Sequence, residues 1–358
     1  MTDSKYRILI LGASYGSLLA SKLVLAGHDA TLICLPEEAD LINAEGIRVR
    51  IPVRGRDDLV EVNSQNAPGA LAAAGPGDVN PGDFDLIALA MQEPQYRSPG
   101  VRELLDAVAK SGKPCMSIMN MPPLPYLKRI PALNALSLDH CFTDPSVWAN
   151  FDPALVTLAS PDPQAFRPPD EPVNVLQVSL PTNFKVARFD SDEHTAILKN
   201  IEQGILDIRF DPGDGTEVEL PVKLRVHDSV FVPLAKWAML LTGNYRCVQP
   251  DAARSIKEAV HTDLEASRAV YEWVRKVCVG LGAAETDLVP FEKYANAATG
   301  LAKPSSAARA LFAGAPNIER VDLLVKTAAE SQGMNLDVVD QTVKMVNDRL
   351  EANRAAAK

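Results

Sequence analysis

Lys236 is the lone lysine of the stretch Pro233–Cys247 (PLAKWAMLLTGNYRC), on an otherwise apolar helix. An ammonium among such neighbours is costly unless it meets a partner or a substrate, and burial makes its proton easier to give up. A lysine so placed can act as general acid or base at a reacting oxygen. Asn244 lies eight residues further on, broadly on the same face of a helix, where its amide could hydrogen-bond the same molecule. Far upstream, Arg7–Ala20 (RILILGASYGSLLA) is an apolar strand that enters a glycine turn and then a helix. That layout seats a nucleotide pyrophosphate. The backbone of Gly12, Ala13, Ser14, Tyr15 and Gly16 approaches the anion, and the positive end of the helix stabilises it. The spacing is G-x-x-x-G rather than G-x-G-x-x-G, so the turn is a weak signal by itself. Together the two stretches point to a nicotinamide dinucleotide with acid–base chemistry beside it.

Each of these residues also has a purely structural reading. The glycines could make a tight turn with no ligand, and Lys236 could lay its stem along the apolar surface beside Trp237. Ser305 and Ser306, after Pro304, are what any helix start carries. Asn120 could be a turn residue before Pro122-Pro123, and Asn244, after Gly243, a helix end. His140, His194, His227 and His261 lie apart with no nucleophile motif beside them, and read as surface or packing residues. With no Ser-His-Asp order and no H-E-x-x-H in the chain, hydrolase and metalloenzyme classes have no support.

The elements that must position these residues follow from hydrophobic patterning. Arg7–Gly12 reads as a buried strand, Ser17–Gly27 as an amphipathic helix and Asp29–Leu35 as a second strand, a compact βαβ unit that starts a doubly wound sheet. The second strand ends in Cys34-Leu35-Pro36-Glu37-Glu38, with no basic residue. Glu37 or Glu38 could reach a ribose hydroxyl or simply suit the helix dipole, so NAD against NADP stays open. Residues 46–53 alternate as a half-exposed strand, and Asn66–Gly82 reads as a loop or loose helix. Asp83–Met91 and Lys113–Met119 follow as strands with a helix between them. From Pro122 to Pro172 prolines recur, which predicts short strands and surface loops elaborating the sheet domain. Strands near Val173–Ser179 and Lys185–Phe189 precede a helix over Ser191–Gly204. After His227 the pattern turns helical, over Arg254–Leu281, Ser305–Phe312 and Val321–Leu350. The expected architecture is α/β: a dinucleotide-binding Rossmann-type sheet over residues 1–226, then an all-helical substrate domain over 227–358, with a cleft between them.

A chain of 358 residues suits two such domains, and 47% hydrophobic with 23% charged residues is the composition of a soluble globular protein. No apolar run reaches the roughly 18–20 residues needed to cross a bilayer. Lys5 and Arg7 before an apolar run could mimic a signal peptide, but the run continues through its glycine turn into a helix and reads as mature structure. Five scattered cysteines without a CxxC argue for reduced thiols, no zinc site and a cytoplasmic setting. A net charge of −10 argues against nucleic acid or an anionic membrane as partner. The long C-terminal helices could bury a homodimer interface or one another.

Taken as an ordered set, these features resemble the ketopantoate reductase (2-dehydropantoate 2-reductase) family. The set comprises the glycine turn ending G-S-L-L-A, the A-G-H-D strand entry (Ala26–Asp29), Asn120 after the fourth or fifth strand, the lysine helix with Lys236 and Asn244, and Ser305-Ser306 opening a later helix. The resemblance implies a Rossmann-type sheet followed by a helical domain of the 6-phosphogluconate-dehydrogenase-like type. It also implies reduction of a 2-keto acid or related carbonyl with NADPH. On that pattern Lys236 is the general acid, Asn244 and Ser306 hold the substrate, and Asn120 lies beside nicotinamide ribose and substrate. The carboxylate of the late helix falls on Glu319 or is replaced at Arg320.

The departures from the pattern cluster at one site. The glycine turn is one residue shorter, Leu35 stands where the family has its phosphate-binding arginine, Gln92 replaces a lysine near the cofactor, and Leu240 replaces a second asparagine. They leave NAD open as cofactor. They also leave open a dehydrogenase oxidising a larger hydroxylated substrate, or a non-catalytic dinucleotide or metabolite sensor on the same fold.

Overall fold

Uninterrupted apolar runs make the centre of a mainly parallel sheet in the computed structural model, which describes residues 4–357. In chain order the strands are β1 (Arg7–Leu11), β2 (Asp29–Ile33), β3 (Arg48–Pro52), β4 (Leu59–Asn63), β5 (Leu71–Ala74) and β6 (Leu86–Leu89). They continue as β7 (Cys115–Ile118), β8 (Val156–Ser160), β9 (Gln164–Phe166), β10 (Val175–Leu180), β11 (Phe184–Ala187) and β12 (Leu224–His227). Eight of them form one sheet in the order β12-β11-β8-β7-β6-β1-β2-β5. Every pair is parallel except β11 with β8. Each residue of β6, β7 and β8 is buried, as in strands covered on both faces.

The chain divides into two units. The first holds both sheets and runs to Met91, then Gln95–Met119 and Val147–Asp228. The second comprises Gln92–Pro94, Asn120–Ser146 and Ser229 onward. Residues 120–146, read from sequence as part of the sheet domain, make their contacts in the helical unit: Tyr126 Oη donates to the Val230 carbonyl and His140 Nε2 meets Thr327 Oγ1 at 3.1 Å.

Within the first unit, helix α1 is Ala13–Leu25, α2 is Pro36–Glu45 and α3 is Val101–Ser111. Helix α1 starts directly after Gly12 rather than at Ser17, because Gly12 at φ +106° turns the chain in a single residue. Nor is α1 amphipathic. Gly16–Val24 are all buried, including Ser17, Ser21 and Lys22. The cause is a second sheet, β4-β3-β10-β9, that the sequence reading did not separate from the first. Ile47, Val49, Ile51, Val60, Val62, Leu176 and Val178 share one apolar cluster with Leu18, Leu19 and Leu23 of α1, so the helix lies between two sheets. Its polar groups find acceptors: Ser21 Oγ donates to the Leu18 carbonyl at 2.8 Å and Lys22 Nζ to the Pro221 carbonyl at 2.6 Å.

Other departures from the patterning have local causes. The stretch read as a loop over Asn66–Gly82 contains β5, an alanine-rich edge strand beside β2. Arg254–Leu281 is two helices, Ile256–His261 and Leu264–Gly280, because the Asp263 side chain caps the second by accepting from the Ala266 amide at 2.9 Å. Val321–Leu350 likewise splits into Val321–Glu330 and Asp337–Ala356, the chain turning through Gly333 at φ +70°. Among the described residues no helix is long and apolar enough to cross a membrane.

Candidate functional site

In the first unit a candidate region lies at the end of β1. The order β5-β2-β1-β6 sends the chain from β1 to β2 on one side and back to β6 on the other, the reversal at which doubly wound sheets bind ligands. Gly12 occupies it, and a Cβ there would lie 2.7 Å from Met91 Cγ and 3.0 Å from the Ala90 carbonyl oxygen. A Cβ on Gly16 would lie 2.7 Å from Ile10 Cγ2, so Gly16 lets α1 pack closely on the sheet. The Gly12 amide donates to the Ile33 carbonyl at 3.0 Å. The amides of Ala13, Ser14 and Tyr15 are the first three of the helix and have no intrahelical acceptor, and no side chain caps this end. Free amides, a glycine-lined approach and the positive end of α1 fit a pyrophosphate. Tyr15 offers its amide alone: its phenol donates to the Pro163 carbonyl at 2.6 Å, and burial, helped by Asp162, pushes its pKa well up.

At the tip of β2, Leu35 is 74% exposed and Glu37 and Glu38 occupy the first turn of α2. Patterning missed one neighbour here. The Arg167 guanidinium, from the segment after β9, ion-pairs with the Glu38 carboxylate. Nothing in the spacing of residues 38 and 167 signals that meeting.

The second unit contains a small, open cleft. Gln92, Asn120, Asn244, Ser306 and Glu319 all line it, and so does Tyr245, which sequence reasoning missed. Lys236 is half-buried one helical turn before the cleft-lining Leu240, and is not itself a lining residue. Between them the helix changes type. Lys236–Met239 is α-helical and Leu240–Asn244 is a π turn. An i→i+5 turn advances each residue by less than an α step, which brings Asn244 nearer the azimuth of Lys236 than a straight α-helix would.

Glu319 is the buried carboxylate of the cleft. It accepts from Asn120 Nδ2 at 3.3 Å and from the Met121 amide at 3.4 Å. Burial raises its pKa, the bonds from Met121, Asn120 and the Glu93 amide oppose the rise, and the nearby Glu93 carboxylate adds to it. The Asn120 amide presents its nitrogen to Glu319 and turns its oxygen away. That oxygen, Asn120 Oδ1, is buried without a protein partner, an acceptor left for a ligand. Arg320 turns elsewhere, with two bonds to the buried Asp322 at 2.9 and 3.0 Å. Of the two residues left as alternatives by sequence, Glu319 lines the cleft and Arg320 does not. The two serines at the start of the later helix differ in what they touch. Ser305 caps the helix, accepting from the Ala308 amide at 3.1 Å and donating to the Asn244 carbonyl at 2.8 Å. Ser306 is the first helical residue and its exposed side chain is left for the cleft.

No family model matches this chain, and no curated protein does. Solved structures do, over nearly the whole length. The doubly wound sheet and the helical unit define a fold class, α/β proteins with a helical second part. Among its members, 2-dehydropantoate 2-reductase from Methylococcus capsulatus is 12% identical, with a TM-score of 0.67 over 97% of this chain and 97% of that one. D-Mandelate dehydrogenase, in a ternary structure with NADH and anilino(oxo)acetate, is 14% identical, with a TM-score of 0.62 over 97% of this chain and 99% of that one. A dimeric ketopantoate reductase from Staphylococcus aureus is 10% identical, with a TM-score of 0.59 over 97% and 99%. The chain has the ketopantoate reductase fold.

Proposed function

We propose that this chain is a nicotinamide-dependent oxidoreductase that interconverts a 2-keto acid, or a related carbonyl compound, with its alcohol. One observation carries the reading. Gln92, Asn120, Asn244, Ser306 and Glu319, taken from five separate stretches of sequence, meet at one cleft. The fold, shared with 2-dehydropantoate 2-reductase and D-mandelate dehydrogenase, supports the same class.

The amides of Ala13, Ser14 and Tyr15 would hold the pyrophosphate of the dinucleotide, which when bound supplies or accepts hydride. Lys236 gives a proton to the carbonyl oxygen as negative charge develops there, and takes it back in the oxidative direction. Asn120 Oδ1, oriented by Glu319, accepts a hydrogen bond from the hydroxyl side of the reaction. Asn244 and Ser306 fix the remaining polar groups of the substrate, and a positioned substrate reacts faster than a free one. The resemblance implies NADP, and Leu35 in place of the family's arginine leaves NAD open.

Fluorescence titration of the purified protein with NADH and NADPH tests the reading. Saturable binding of either, followed by turnover of a 2-keto acid from a panel assayed in both directions, is the expected result. Failure to bind either dinucleotide overturns it.

A further inference from the structure

We propose that Glu38 and Arg167 act as one device that makes this site select NADH, with its free ribose 2′-hydroxyl, over the 2′-phosphorylated NADPH. The proposal rests on the dinucleotide reading above. At the tip of the second strand of a doubly wound sheet, an acid bonds the adenine-side ribose hydroxyls and an arginine neutralises a 2′-phosphate. This chain puts both there, already paired to each other.

The pair is built rather than incidental. Glu38 and Arg167 side chains are 14% and 27% exposed, and Glu38 is the one hydrogen-bond partner of Arg167 among the described residues. The segment that delivers the arginine is fixed at several points. Pro163 accepts from Tyr15 Oη at 2.6 Å, Asp162 meets Lys185 Nζ at 3.0 Å, and Pro168-Pro169 restrict the backbone just after Arg167. Arg167 therefore reaches Glu38 from a backbone tied to the first turn of α1.

Charge then decides between the dinucleotides. Arg167 is spent on Glu38, and Glu37, exposed in the same helical turn, leaves the tip with a surplus negative charge. A 2′-phosphate would have to enter against two carboxylates and pull the guanidinium off one of them. A ribose diol meets the opposite situation. A carboxylate offers about four acceptor positions, and Arg167 occupies one side of Glu38 while holding its rotamer. The remaining lone pairs accept hydroxyls from a group already immobilised, which lowers the entropic cost of binding. Arg167 is in this account a positioning residue and Glu38 the ligand-binding one.

Dissociation constants for NADH and NADPH, measured on the same samples of wild type, Glu38→Gln, Arg167→Ala and the double variant, test the device. Because each preparation is read with both ligands, partial loss of folded protein leaves the ratio unchanged. Wild type is expected to favour NADH by about tenfold or more, and Glu38→Gln, which frees the arginine, to move the ratio toward NADPH by about tenfold. Adding Arg167→Ala to Glu38→Gln should cancel that gain in NADPH affinity, whereas Arg167→Ala alone should weaken NADH without strengthening NADPH. A wild type that favours NADPH and loses the preference on Arg167→Ala overturns the proposal, since the arginine would then be the phosphate-binding cation. A ratio indifferent to Glu38 overturns it too. Equal binding of both dinucleotides leaves the oxidoreductase reading standing and ends this one, while binding of neither ends both.

Discussion

The phenol of Tyr245 donates to the main-chain carbonyl of Glu319 at 2.6 Å and accepts from the Val321 amide at 3.0 Å. One side chain from the end of the π turn thus holds the backbone on both sides of Arg320, and so places the carboxylate that orients Asn120. Tyr245→Phe removes both bonds and leaves a buried carbonyl and a buried amide unpaired, a loss of about 1–3 kcal/mol. Urea unfolding of the variant should show that loss. Turnover of the carbonyl substrate should fall while dinucleotide affinity stays near wild type. Unchanged stability and turnover would mean that the site does not depend on this anchor.

Lys236→Ala tests the proposed proton donor directly. Turnover is expected to drop by about 10²–10⁴-fold, the usual contribution of a positioned acid or base, with dinucleotide dissociation constants little changed. A variant that keeps its turnover removes Lys236 from the chemistry.

Lys22 links stability to pH. Burial, with a smaller push from Lys223, lowers its pKa from 10.5 to about 7. Between those values the unfolded chain binds more protons than the folded one, so stability rises with pH through this window and the full penalty is felt below it. The slope is at most about 1.4 kcal/mol per pH unit. Denaturation curves at pH 7, 8 and 9 should show wild type gaining on Lys22→Met at each step. A gap that stays constant over those three values would contradict the assignment.

Thiol chemistry should be slow in the native protein. Cys115, Cys141, Cys247 and Cys278 are buried and Cys34 is half-buried. Burial pushes all five thiols up, with Cys141 at about 11 and Cys34 and Cys278 at about 12. Ellman's reagent at pH 8 should find Cys34 at most before denaturant is added, and all five afterwards. Rapid reaction of several native thiols would contradict the packing around them.

What the sequence disclosed follows from which signals are local. Buried parallel strands such as Leu86–Leu89 are legible because covered strands are apolar at every position, and Gly12 because a one-residue turn at φ +106° demands it. The alanines of β5 carry no strand signature. The second sheet was illegible for another reason: it pairs Arg48–Arg50 of β3 with Val175–Gln177 of β10, and no alternation within a strand names so distant a partner. In the helical unit, residue types pointed to Asn120, Asn244 and Ser306, which do line one cleft. The choice of Glu319 over Arg320 needed Asp322 in place to engage the arginine, and the π turn at Leu240–Asn244 leaves no mark in composition.

The burial of α1 between two sheets also governs the order in which the chain can be made. A nascent chain carries residues 13–25 long before β10 emerges to join β3 in the outer sheet. At ribosomal speeds of 5–20 residues per second, the intervening stretch of about 150 residues takes roughly 10–30 s. During that interval a helix whose residues 16–24 end up wholly buried lacks the completed outer sheet. The segment that most needs shelter during synthesis is therefore the one that, once folded, supplies the amides at the head of the proposed dinucleotide site.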